Sequence, residues 1–204
     1  MFPLAFSVTL LTLLTVLLFL GLGQRVLDRM RLTDAEAVII LLVMIGGHFL
    51  PTVSLTARIA LNLGGLVPLG VGAYLLFTTS GVEKTRAAGV TLVTALLIFL
   101  TDKLLPLQPG LLDPVFGGGI FAGLAATFWG RSRRSAFIGG LVGVLLVDLA
   151  SVVQLWLQGV QEQITLGSGG LFSSMVLSAF LAVLITEVIG EAREALHQGG
   201  EEDA

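Results

Sequence analysis

Long apolar runs that recur along the chain constrain it more than any other feature. VTLLTLLTVLLFLGLG (Val8–Gly23), GVTLVTALLIFL (Gly89–Leu100), AFIGGLVGVLLVDLASVVQLWL (Ala136–Leu157) and LFSSMVLSAFLAVLI (Leu171–Ile185) carry almost no charge. A helix needs about 20 such residues to cross the hydrocarbon of a bilayer. Only helices and closed barrels satisfy their own backbone hydrogen bonds there, and these runs lack the alternation of barrel strands. Composition agrees: 55% of the 204 residues are hydrophobic and 12% charged, with a mean hydropathy of +0.97, where a soluble domain carries about 25% charged residues. The pattern predicts an all-α polytopic membrane protein.

Seven spans are expected, near Phe2–Gly23, Asp34–Leu50, within Thr52–Phe77, Gly81–Leu105, Pro114–Trp129, Ser135–Leu157 and Gly170–Ile189. Local signals support several starts. TDAE at Thr33–Glu36 and SGVE at Ser80–Glu83 fit capping boxes. Asp113–Pro114 reads as an N-cap followed by proline in the first helical turn. The first run lacks a positive stretch ahead of it and a small-residue cleavage site, so it is expected to be a retained helix, not a secretion signal. Residues 1–190 are expected to form one bundle and 191–204 an acidic cytoplasmic tail.

Lysine and arginine set the expected orientation. With the N-terminus outside, the cytoplasmic side holds Arg25, Arg29, Arg31, Lys84, Arg86, Arg131, Arg133, Arg134 and Arg193, and the opposite side only Arg58 and Lys103. An odd number of spans places the C-terminus in the cytoplasm. The expected home is the plasma membrane.

Ionisable groups at membrane depth are functional candidates, because each costs at least about 2.5–3.5 kcal/mol at the bilayer centre. Asp148 is the deepest, too short to reach the headgroups. Ser54, Arg58 and Asn62 fall at i, i+4 and i+8, a polar stripe if the third span is helical throughout. That geometry would bring Arg58 to Asp148. Gly64, Gly65 and Pro68 predict a break in the same helix, of the kind that presents backbone groups to cargo in transporters. His48 is a further cavity candidate, with an interfacial role as the plainer reading. Glu187 is expected at the cytoplasmic interface. Gly119–Gly123 and Gly139–Gly143 have the spacing of close helix contacts, within the bundle or between copies. With no cysteine and no histidine cluster, no metal site and no cofactor is expected, and no basic patch suggests a nucleic acid.

GGHFLPTVSLTARIALNLGGLVPLGVGAYLL (Gly46–Leu76) resembles the N-terminal signature of an uncharacterised prokaryotic membrane family, domain of unknown function 1614, with Asn62, Gly64, Gly65 and Pro68 at its asparagine–glycine–glycine–proline core. GSGGLFSSMVLSAFLAVLI (Gly167–Ile185) is similar to a second signature of that family, which carries an aspartate after the phenylalanine. This chain has Ser173 after Phe172, so no role for that acid transfers. The resemblance implies a compact polytopic protein and brings no activity with it.

The expected function is a small transporter or channel-like protein with an outward-facing polar cavity formed by Arg58, Asn62, Asp148 and His48. The alternative is a non-catalytic subunit or scaffold in a membrane complex. An intramembrane aspartyl hydrolase is a second alternative. It would need a carboxylate beside Asp148 to share its proton, and Asp102 and Asp113 lie too shallow in this topology.

Overall fold

The computed structural model describes residues 35–36, 39, 43, 46–47, 49–56, 59–104, 114–129, 132–159, 164–166 and 174–202. The expected first span and most of the second lie outside them. The described residues form five helices and three short strands: β1 (Thr52–Ser54), β2 (Ile59–Asn62), α1 (Leu63–Phe77), α2 (Gly81–Leu104), α3 (Pro114–Phe128), α4 (Arg133–Leu157), β3 (Ile164–Leu166) and α5 (Ser174–Glu202). The helices α2, α4 and the Ser174–Leu196 part of α5 are long and apolar enough to cross a membrane. At 15 residues each, α1 and α3 are about 22 Å long, short of the roughly 30 Å of hydrocarbon.

One expectation is corrected here. The expected third span contains a helix within Thr52–Phe77, at Leu63–Phe77, but the span is not helical from its start, which the polar stripe from Ser54 to Asn62 requires. Its first part is a hairpin, with Thr52 paired to Asn62, Val53 to Leu61 and Ser54 to Ala60. The amides of Leu55 and Thr56 donate to the Ile59 carbonyl at 2.9 and 3.1 Å, and the Ile59 amide donates to the Thr56 hydroxyl at 3.0 Å, closing the turn. β2 also pairs in parallel with β3, Ile59 against Ile164 and Leu61 against Leu166, so the sheet order is β1-β2-β3.

Glycine contacts fix the direction of each helix. Gly139 and Gly143 of α4 lie against Val90 and Thr94, so α4 runs parallel to α2. Gly118 and Gly123 of α3 lie against Ser178 and Ile185, so α3 runs parallel to α5. Gly140 meets Ala179, and Arg133 pairs with Glu187, making α4 and α5 antiparallel. Leu141 meets Gly72, and Arg134 reaches Thr78 and Thr79, making α1 antiparallel to α4. The glycines of both expected stripes are thus occupied within the chain. Lipid tails are as apolar as leucine, so helices associate in a membrane through such close van der Waals contact.

One end of the bundle gathers Thr78–Glu83, the start of α4 and Glu187. This is the polar end. The other, the sheet end, holds the strands and the last turns of α2 and α4. Lipid-facing stripes are visible on the long helices: Leu92, Leu96, Phe99 and Leu100 on α2, and Leu146, Leu149 and Val153 on α4 are exposed. A soluble protein seldom exposes apolar patches of that extent. The chain is an integral membrane protein.

Candidate functional site at the strand–helix junction

The alternating contacts also set depth. At 1.5 Å per residue along α4, Leu63 is about level with Ala150, and Pro114 and Ser174 are about level with Leu145. Because α4 itself continues to Leu157, three helices begin roughly 10–18 Å short of its end. Extended backbone enters the bundle at that depth through β2.

The junction is built by Asn62. Its side chain accepts a hydrogen bond from the Gly64 amide at 2.8 Å and caps α1. The Leu63 amide donates to the Pro51 carbonyl at 3.2 Å. Gly64 is required by a close approach: a Cβ there would collide with the carbonyl of Gly47. Pro68 lies inside α1, which runs on to Phe77. The break expected around Gly64, Gly65 and Pro68 therefore lies one step earlier, at the strand-to-helix change at Asn62. Pro68 has no amide hydrogen, so the Gly64 carbonyl loses its usual partner four residues on.

Asp148 shares a helix face with Leu141, the α4 residue that meets α1. Leu141, Leu145, Asp148 and Val152 recur at i, i+4, i+7 and i+11, one stripe of a helix. Leu141 touches Gly72 of α1, and Val152 is buried. Asp148 itself is half-buried and makes no hydrogen bond or ion pair with another described residue. The structure thus brings Asn62 and the glycine pair to the depth of Asp148. Arg58 and His48 lie outside the described residues. Ser54, Arg58 and Asn62 do not form a helical stripe: Ser54 and Asn62 sit on paired strands.

The polar end holds groups whose burial the sequence reading missed. Arg134 is 6% exposed. Its guanidinium donates to the Thr79 hydroxyl at 3.1 Å and the Thr78 carbonyl at 3.3 Å, capping the C-terminal end of α1, where a cation is favoured by the helix dipole. The expected start of α4 at Ser135 shifts to Arg133, and Ser132 caps it by accepting from the Ser135 amide. The Glu83 amide donates to the Ser80 hydroxyl at 3.4 Å, as a capping box requires. The Glu83 carboxylate also accepts from the hydroxyls of Ser80 and Ser132, joining α2 to α4. Glu187 is 3% exposed and pairs with Arg133, so it is not an interfacial acid in water. Its Oε1 has no hydrogen-bond partner among the described residues, and the same holds for the buried Ser178 and Thr94 hydroxyls. No group of three or more metal-ligating side chains occurs among the described residues.

A family model described as "Protein of unknown function (DUF1614)" matches residues 22–185. The chain belongs to the DUF1614 family. The match includes the Asn62 junction, Asp148 and Ser178, and ends two residues before Glu187. No curated protein and no solved structure matches the chain.

The signal for the buried polar end was present in RSRRS (Arg131–Ser135) and LITEVIG (Leu184–Gly190). Two arginines in a first helical turn oppose the helix dipole, which demands acidic or carbonyl partners nearby. A glutamate in so apolar a run demands a cation.

Proposed function

We propose that this DUF1614 protein is a small ion transporter or channel-like protein of the plasma membrane. In this reading it crosses seven times, with the N-terminus outside and the polar end in the cytoplasm. Its polar cavity opens at the sheet end and is lined by Asn62, the start of α1 and Asp148. Arg58 and His48 remain candidates for its mouth. One observation carries the reading: extended backbone and a carboxylic acid share a depth inside an apolar bundle. Non-helical backbone at membrane depth is tolerated only against protein or a water-filled cavity. Broken elements beside a buried acid suit ion coupling. The distribution of cations supports the orientation, with Lys84, Arg86, Arg133, Arg134 and Arg193 toward the polar end and Lys103 at the sheet end.

The test is ion flux in proteoliposomes holding the purified chain. Flux above protein-free vesicles that falls at least tenfold in Asp148→Asn is the expected result. Flux equal to empty vesicles for sodium, potassium, protons and chloride, together with stable copurification of a second membrane protein, would favour the scaffold reading.

A further inference from the structure

Beyond the cavity, a seam of small and polar residues leads from Asp148 to the polar end. On α5, Ser178, Ala182 and Thr186 recur at i, i+4 and i+8, with Glu187 beside Thr186. They face Gly118 and Gly123 of α3 and Gly140 of α4. The Ser178 hydroxyl is fully buried, unpartnered and aimed at the space a Cβ on Gly118 would fill, beside Val144. Val144 is one helical turn from Asp148. At the far end Glu187 offers a second buried, unpartnered oxygen.

We propose that Asp148, Ser178 and Glu187 are successive stations of one proton route through the bundle, closed at the polar end by Arg133. The proposal rests on the ion-transport reading and names the cargo. Ser178 is about level with Leu141, so it lies roughly 10 Å from Asp148 and roughly 13 Å from Glu187 along the bundle axis. Such gaps are wider than one hydrogen bond, so protons cross them only when the helices part transiently and admit water to a seam that is closed at rest. The seam has no room for a hydrated metal ion: a single methyl added at Gly118, Gly123 or Gly140 already meets backbone or side-chain atoms at under 3.0 Å. A proton needs only a hydroxyl and transient water. The other groups at Glu187 are accounted for. Thr127 and Thr186 both donate to the Gly123 carbonyl, and Thr186 also to that of Ala182. Glu83 on α2 is held by Ser80 and Ser132. Arg133 is the cation that pairs with Glu187 and closes the exit. Thr94, the other unpartnered hydroxyl, lies off the route. It packs on Gly143, about 140° around α4 from Asp148 at 3.6 residues per turn.

The full-length protein is reconstituted with a pH-reporting dye inside the vesicles, and a potassium diffusion potential drives protons inward. The wild type is expected to acidify the lumen faster than protein-free vesicles. Ser178→Ala and Glu187→Gln are each expected to slow it at least fivefold, and Thr94→Val to leave it unchanged. Each variant is first checked for a single symmetric elution peak. If Ser178→Ala fails to fold, Glu187→Gln against Thr94→Val decides. Wild-type proton flux in the Ser178 and Glu187 variants overturns the route, as does an equal loss in Thr94→Val. If sodium or potassium flux then still depends on Asp148, the transport reading stands without the proton route. If no ion flux depends on Asp148, both fall.

Discussion

The substitution Gly140→Ala tests how tightly α4 and α5 are joined. An ideal Cβ at position 140 would lie 2.8 Å from the Ala179 Cα, 2.9 Å from the Ser178 carbonyl oxygen and 3.0 Å from the Ala179 amide nitrogen. All three are backbone atoms and cannot rotate away. Carbon atoms are at their best separation at about 3.5–4.0 Å, so the helices must part by about 0.7–1.2 Å. A gap of 0.5–1 Å forfeits a quarter to a half of each van der Waals attraction along the seam. Overpacking of this kind costs about 1–3 kcal/mol. Alanine in place of glycine in a helix returns about 1 kcal/mol, so a net loss of up to about 2 kcal/mol is expected. Gly190→Ala is the control. It lies on α5, where an added Cβ meets nothing within 4 Å, and is expected to be neutral or to gain up to about 1 kcal/mol. Unfolding by sodium dodecyl sulfate in mixed micelles, followed by tryptophan fluorescence, reads both. Equal stability of the two variants would refute the close-contact reasoning.

Three other outcomes are expected. Glu187→Ala leaves Arg133, whose side chain is 13% exposed, without its anion and should cost up to about 3 kcal/mol in the same unfolding assay, whereas the double change Arg133→Met with Glu187→Met should recover most of it. Asn62→Ala removes the cap of α1 and should cost about 1 kcal/mol, with Asn62→Asp close to wild type. The protein has no cysteine of its own, so Thr52→Cys in intact vesicles should react with a membrane-impermeant thiol reagent while Leu92→Cys, exposed on the lipid face of α2, should not.

The long helices were legible because charges and prolines bracket them. Gly81–Leu104, Pro114–Phe128 and Arg133–Leu157 fall within two residues of expectation, since an apolar run between polar stops has few other ways to satisfy its backbone in lipid. The last helix outruns its expected membrane span, as one reading of the polar tail, continuing the helix into water, allows. It continues to Glu202, because hydropathy marks where lipid ends and not where helical hydrogen bonding ends. The strands were not legible. Ser54 and Asn62 sit at spacings compatible with a helical face, and runs of three or four residues carry too little periodicity to separate strand from helix. The pairing that fixes β2 is also non-local, joining Ile59 to Ile164 across four helices. Of the candidate site, Asp148 and Asn62 announced themselves as polar groups in apolar surroundings. Arg134 did not, because counting positive charges by loop treats every arginine near a helix end as solvated, and this one turns back to cap α1.

The sheet explains why depth matters here. Each backbone group left unpaired in hydrocarbon costs several kcal/mol. β2 avoids that cost by pairing on both edges, with β1 and with β3. β1 lies at the edge of the sheet, and all three of its residues are exposed. Thr52 is paired with Asn62, so this exposed polar edge reaches the level of the α1 cap, about 3–5 Å along the axis from Asp148. Strand backbone at that depth is stable only against protein or water, and water that met Thr52 would come within one helical turn of the carboxylic acid. In the transport reading, such water would also hydrate the acid. The transport reading thus ties the accessibility of Asp148 to the strand edge, because one body of water would meet both.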